Sequence, residues 1–263
     1  MDKAQPRDEF LRRRAERQRR IRKRRLITAF IVLILLTLCT LAVLAVTVFF
    51  PIEKIIASGS SYYTAEALEK ASGVKIGDNL IIASRSKIEK NLKEKLPYVE
   101  KVSLKKELPG KLEIIAEDAE EFACYLVNDR YYIVSESGWV LAEAGALPEK
   151  ILAVTGADVK CKTGTEAVFK DSEQNELINR IIDICNAHNI SLSALDISNP
   201  VALNLTLENR ISVQVGTANS LEEKLKHLGG MLKEISAEQT GKIDLSMWSE
   251  TNPQGTFTAG VTE

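Results

Sequence analysis

The stretch Ser86–Glu117, SKIEKNLKEKLPYVEKVSLKKELPGKLEIIAE, changes its periodicity partway along and so decides the fold of the segment around it. Ile88, Leu92 and Leu96 recur every four residues, which puts them on one face of a helix starting near Ser86 and leaves Lys87, Lys90 and Glu94 for water. Pro97 stops that helix, because its ring disfavours a helical conformation in the residue before it. Beyond Pro97 the period drops to two. Val102 and Leu104 alternate with Lys101, Ser103 and Lys105, predicting a strand over Tyr98–Lys106 with one buried and one wet face. Pro109-Gly110 favours chain reversal and brings the chain back as a second strand, Lys111–Glu117.

Upstream, Thr64 caps a helix over Ala65–Ser72, Gly73 ends it, and an extended segment, Ile52–Ala57, is broken by Ser58-Gly59-Ser60. The order strand, helix, helix, strand, strand predicts a small sheet covered by two helices.

Before this module, Leu26–Phe50 runs for 25 residues without a charged side chain. At about 1.5 Å per residue the run reaches roughly 37 Å, enough to cross a hydrocarbon core of about 30 Å with some tilt. A cleavable signal peptide is the competing reading, but its apolar region is usually only about 7 to 15 residues. Residues 1–25 hold twelve Lys and Arg against four acids, whereas Lys54 and Lys70 are the only basic residues in 51–70, so the amino end is expected to stay in the cytoplasm. Residues 51–263 then carry 23 basic and 32 acidic side chains, a net charge of −9 hidden in a nearly neutral whole. The run Arg12–Arg25 would also attract nucleic acid, but its place beside the apolar span makes membrane topology the simpler account, and no aromatics are interleaved to stack on bases.

After residue 118 the pattern changes. Short strands are expected at Phe122–Val127, Tyr131–Val134 and Trp139–Ala142. A helix over Glu173–Ala187 carries Leu177, Ile178, Ile181, Ile182 and Cys185 on one face. Strands near Leu192–Ile197, Val201–Leu207 and Ile211–Val215 follow. The next helix opens on a capping box, Ser220 with Glu223, and has an apolar stripe of Leu221, Leu225, Leu228, Leu232 and Ile235. The last expected strand is Lys242–Trp248, and the polar remainder, Ser249–Glu263, reads as disordered.

The fold class is therefore α+β: a single transmembrane helix, a βααββ domain, and a mixed α/β domain with a mostly antiparallel sheet. The expected division is a basic tail over 1–25, the span 26–50, a first domain 51–117, a second domain 118–248 and a tail 249–263.

Chemistry-bearing clusters are missing from the pattern. His188 and His227 have no partner at ligand spacing, and there is no G-x-S-x-G, P-loop, H-E-x-x-H or dinucleotide fingerprint. Glu117-Asp118-Ala119-Glu120-Glu121 lacks the glycine turn and ligand periodicity of a calcium loop and reads as a solvated domain junction. Outside the span the cysteines are Cys124, Cys161 and Cys185, an odd number that makes no disulfide scaffold and leaves a Cys161–Cys185 bridge open. No enzyme activity, cofactor, metal or nucleic-acid partner is expected.

With these elements in order, the chain resembles the FtsQ/DivIB family of bacterial division proteins. The resemblance rests on Ser58-Gly59 with Tyr63-Thr64-Ala65-Glu66-Ala67-Leu68, on Leu96-Pro97-Tyr98-Val99, and on Lys105–Pro109. It continues through Tyr132-Ile133-Val134 with Gly138-Trp139-Val140-Leu141, and Gly241-Lys242-Ile243-Asp244-Leu245. Tyr98 stands where the family usually has tryptophan, Ser135 where aspartate is common and Glu120 where proline is frequent. The resemblance implies a POTRA module over 52–117 and the family's β domain over 118–248. It also implies a non-enzymatic scaffold of the divisome at the septum, binding FtsB (DivIC in some bacteria) and FtsL and linked to septal wall-synthesis enzymes. Strand addition to the edge of the last strand is the expected mode, with Ile243, Asp244, Leu245, Ser246, Met247 and Trp248 as the partner-binding residues. The alternative is an extracytoplasmic ligand-binding sensor or another POTRA-type membrane interaction protein, although a 25-residue basic tail is too short for a signalling domain.

Overall fold

The computed structural model describes residues 25–41, 50–249 and 251–260. Helix α1 covers residues 25–41 and exposes its apolar side chains all round. It holds the first part of the expected span, and the rest, 42–49, lies outside the described residues, as does the basic tail before Arg25. Among the described residues no helix is long and apolar enough to cross a membrane.

The first module has the expected element order: β1 Lys54–Ser58, α2 Ala65–Ser72, α3 Arg85–Lys95, β2 Val99–Glu107 and β3 Lys111–Asp118, with sheet order β1-β3-β2. The Thr64 hydroxyl accepts from Ala67 N at 3.2 Å and caps α2, while Gly73 ends it in the left-handed region at φ 75°. The exposed carbonyls at that end are taken up by α3: Asn91 Nδ2 donates to Ser72 O at 2.9 Å and Lys95 Nζ to Ala71 O at 3.1 Å. Ile88 and Leu92 are buried as their spacing requires, whereas Leu96 is the C-cap and only half-buried.

The chain divides into two compact units. One gathers the residues up to Ile56 with Val74–Ala83 and Lys105–Glu113; the other holds Ala57–Gly73, Ser84–Leu104 and everything from Ile114. In the first, backbone bonds from Leu80 N to Phe50 O (2.9 Å), Ile52 N to Asp78 O (2.7 Å) and Glu53 N to Gly110 O (2.7 Å) knit three segments together.

The second unit is built on a nine-stranded sheet in the order β14-β13-β12-β11-β10-β7-β4-β5-β6. Its strands are β4 Ala123–Val127, β5 Arg130–Val134, β6 Val140–Ala144, β7 Leu152–Thr155, β10 Leu192–Asp196, β11 Leu203–Leu207, β12 Ile211–Gly216, β13 Gly241–Asp244 and β14 Thr256–Ala259. A separate ribbon pairs β8 Val159–Lys160 with β9 Val168–Phe169. Asn128 and Asp129 both have positive φ, which suits the two-residue turn joining β4 to β5. Most pairings are antiparallel. The parallel ones, β4 with β7, β7 with β10 and β12 with β13, need long crossovers. Helix α4 Ser172–Ala187 supplies the crossover into β10 and α5 Leu221–Leu232 the one into β13.

Both helices bury their apolar stripes on one sheet face. Ile178, Ile181 and Cys185 from α4, with Leu221, Leu225 and Leu228 from α5, meet Leu195, Leu205, Val213 and Ile243 of the strands. The alternate residues Cys124, Ile133, Leu141 and Ala153 form a smaller core on the other face with Tyr98 and Trp139.

Four expectations need correction. The capping box at Ser220 does not form: this residue adopts φ 47° and makes no side-chain cap bond, because the chain enters α5 through a left-handed residue. The strand expected over Lys242–Trp248 ends at Asp244, and part of the expected disordered tail is the strand β14. The acidic junction is not simply solvated. Asp118 accepts from Ser60 Oγ (2.5 Å), Ser61 N (2.6 Å) and Ser61 Oγ (2.8 Å), and Tyr98 Oη donates to Glu121 at 2.6 Å.

Partial burial pushes the Asp118 carboxyl up, but the bonds from Ser60 and Ser61 outweigh it and hold the pKa below the ordinary 3.8. A carboxylate depressed on folding contributes stability that is present above its unfolded pKa and lost as pH falls through the folded one. Asp118→Asn is therefore expected to cost about 1 kcal/mol at neutral pH and to flatten the loss of stability as pH falls below about 4. Urea titrations across that range check this, and an unchanged acid slope would remove Asp118 from the account.

Candidate partner-binding surface

The edge of the large sheet is built by a turn that the sequence hides. After β13, Leu245 N still donates to Gln214 O at 2.8 Å, extending the parallel ladder by one residue. The ladder then stops because Ser246 N donates to Asp244 Oδ1 at 2.8 Å, an Asx turn that takes the backbone out of the sheet. The Ser246 hydroxyl and amide together hold the Asp244 carboxyl below its ordinary range. Trp248 N donates to Leu245 O at 3.0 Å, and a bridge between Ser249 and Asn252 returns the chain toward β13.

The returning strand is β14, which runs antiparallel to β13 in the register Gly241↔Ala259, Lys242↔Thr258, Ile243↔Phe257 and Asp244↔Thr256. A Cβ on Gly241 would lie 2.5 Å from Thr258 O and 2.6 Å from the Phe257 ring, so only glycine allows so close a crossing. Gly260 N donates to Thr240 O at 2.8 Å. Bonded pairs in an antiparallel ladder recur at every second residue, so Thr258 and Thr256 face β13 with their backbone groups. Phe257 and Ala259 consequently turn their N–H and C=O groups to the open side. Among the described residues no strand pairs with that row, which forms the edge at this end of the sheet.

The six residues expected to bind a partner fall into three settings. Ile243 and Leu245 are core residues with no exposed surface, and Asp244 and Ser246 form the turn. Met247 is 86% exposed, and Trp248 is half-buried against the core, its indole Nε1 enclosed without a hydrogen-bond partner among the described residues. Beside them is a cleft of about 390 Å³ lined by Thr217, Lys224, Ser246, Trp248 and Thr251 among others. Lys224, on α5, is 3% exposed, and its ammonium donates to Val215 O and Thr217 O, both at 3.0 Å. Burial pushes its pKa below the ordinary lysine value. It joins α5 to the end of β12, and nothing in its sequence setting distinguishes it from a surface lysine.

Strand β14 lies in the polar stretch that reads as disordered, although Thr256-Phe257-Thr258 alternates β-branched and aromatic residues as strands prefer.

All three cysteines beyond Phe50 are free thiols, so Cys161 and Cys185 are not bridged. Burial raises Cys124 and Cys161 to about 11 and Cys185 to about 12, which leaves them as thiols rather than nucleophilic thiolates near neutral pH. His188 caps the end of α4 through its backbone and His227 lies half-buried on α5. Among the described residues no group of three or more His, Cys, Asp or Glu side chains is placed to hold a metal ion.

A βααββ module preceding a mixed sheet with two crossover helices has the element order of a POTRA-type module followed by a second α+β domain. Residues 50–117 match the model for the POTRA domain, FtsQ-type, and residues 124–246 match that for Cell division protein FtsQ/DivIB, C-terminal. The chain belongs to the FtsQ/DivIB family of cell division proteins. Relatives include the Cell division protein DivIB of Clostridium botulinum (strain Loch Maree / Type A3), 28% identical over 211 residues that cover 78% of this chain and 81% of that one. The Cell division protein DivIB of Clostridium acetobutylicum is 25% identical, covering 75% of this chain and 80% of its own. That of Listeria monocytogenes is 22% identical, with 78% and 75% covered. The second family match ends at residue 246, so β14 lies beyond it.

Proposed function

We propose that this chain is a membrane-anchored, non-enzymatic scaffold of the bacterial divisome. It binds an FtsB-like partner (DivIC in some bacteria) and an FtsL-like one, and links them to septal wall synthesis. The reading is supported chiefly by the family match over both exterior modules. The uncharged run Leu26–Phe50 serves as the anchor, with the basic residues before it in the cytoplasm and the two modules outside.

The partner adds an extended segment to the open edge of the large sheet, where main-chain groups supply affinity and neighbouring side chains supply selectivity. In this arrangement Phe257 and Ala259 of β14 offer the backbone groups. Ile243 and Leu245 hold the edge from the core, Asp244 and Ser246 fix the turn, and Met247 and Trp248 supply apolar contact. An amino-terminal fluorescent fusion expressed at native level is expected to concentrate at the septum. Even distribution over the membrane throughout the cell cycle would overturn the divisome reading.

A further inference from the structure

Outside α1, the described residues of the smaller compact unit expose four large aliphatic side chains: Ile76, Ile82 and Leu108, each more than 60% exposed, and Ile81 at 45%. They do not hang on unconnected loops. Gly77 N donates to Ile52 O at 2.8 Å, Ile52 N to Asp78 O at 2.7 Å and Leu80 N to Phe50 O at 2.9 Å, so the segment bearing the isoleucines is bonded to Phe50 and Ile52. Leu108 belongs to the same cluster. Glu53 N and Lys54 N both donate to Gly110 O, and Lys106 Nζ donates to Ile81 O at 2.9 Å and Ala83 O at 2.7 Å.

Phe50 is also the last residue of the uncharged run that begins at Leu26. If that run crosses the bilayer, Phe50 marks its exit, and backbone bonded to Phe50 and Ile52 lies within the interfacial layer, roughly 5–8 Å thick on each side of the hydrocarbon.

We infer that Ile76, Ile81, Ile82 and Leu108 make a second, side-on contact with the membrane, dipping into the headgroup and acyl boundary of the leaflet from which the chain emerges. This rests on the reading of residues 26–50 as an anchor. The chemistry of the patch fits lipid. It is purely aliphatic, without the Trp, Tyr or Arg anchors that dominate protein interfaces; the exposed Lys75 stands next to Ile76, while Lys105 is paired with Glu113 at 3.9 Å. The contact adds a second attachment beside the span, so that the smaller unit is held at the bilayer surface.

The test uses the full chain in proteoliposomes of phosphatidylethanolamine and phosphatidylglycerol, with a photoreactive p-benzoylphenylalanine in place of Ile82 or, as a reference, Leu44 within the apolar run. Irradiation is expected to yield lipid adducts at both positions. Ile76→Asp with Leu108→Asp should lower the yield at position 82 by about tenfold and leave that at 44 unchanged, because charge is costly at the acyl boundary. Unchanged circular dichroism verifies that the double variant folds. Adducts at 44 but none at 82, or capture of a second copy of the chain at 82, would overturn the side-on contact while leaving the anchor intact. No lipid adduct at 44 would overturn the anchor reading itself, and the inference with it.

Discussion

Ala259→Pro is expected to abolish capture of the FtsB-like partner, weakening it by at least about tenfold, while the purified chain keeps its thermal stability to within about 1 kcal/mol. The asymmetry comes from where the lost donor points. Ala259 stands opposite Gly241 in a non-bonded pair, so its N–H faces the open side, and proline there removes a group that only an added strand would use. Thr258→Pro is the companion variant. Its N–H faces Lys242, so that change should detach β14 and lower stability as well as binding. Calorimetry or pull-down with the full chain reads both. Wild-type affinity in a folded Ala259→Pro protein would sink strand addition at β14. Tighter binding after deletion of 251–263 would show instead that β14 shields β13 from the partner.

Leu225→Ala is expected to destabilise the larger unit by about 3 kcal/mol, the middle of the range for removing a fully enclosed leucine from a core that cannot collapse around the gap. Leu225 has no exposed surface and sits where α5 meets the sheet, among the core residues shared with α4 and β10–β13. Leu225→Met, which conserves volume, should cost less than about 1.5 kcal/mol. Urea denaturation of the detergent-solubilised chain, followed by tryptophan emission, measures both. A loss under about 1 kcal/mol for the alanine variant would mean that α5 is not the lid over this core.

Elements with a strong period were legible from the residues alone. Ile88 and Leu92, the stripes of α4 and α5, and the alternation in β2 each declare which face is buried, and the structure buries those faces. Strand β7 was not legible because Leu152, Ala153 and Val154 are buried on both faces of a central strand, which erases the alternation that would mark it. The candidate surface was legible only in part. The sequence places the last strand at Lys242–Trp248, but it ends at Asp244, where the side chain accepts from Ser246 N, and its edge is covered by β14, which returns after a turn. Polar bonds leave no periodic pattern in the sequence, whether they are local, as at Asp244, or join residues 58 apart, as from Ser60 to Asp118.

The position of β7 also has a mechanical meaning. It pairs with β4 through three residue pairs and with β10 through three more, and these narrow parallel ladders are what join the β4-β5-β6 meander to the strands leading to β14. Under the proposed function, tension between a membrane anchor and a partner added at β14 would cross this sheet. The seam at Leu152–Thr155 is where that tension meets the fewest bonds, so it is the first place such a molecule would yield under load.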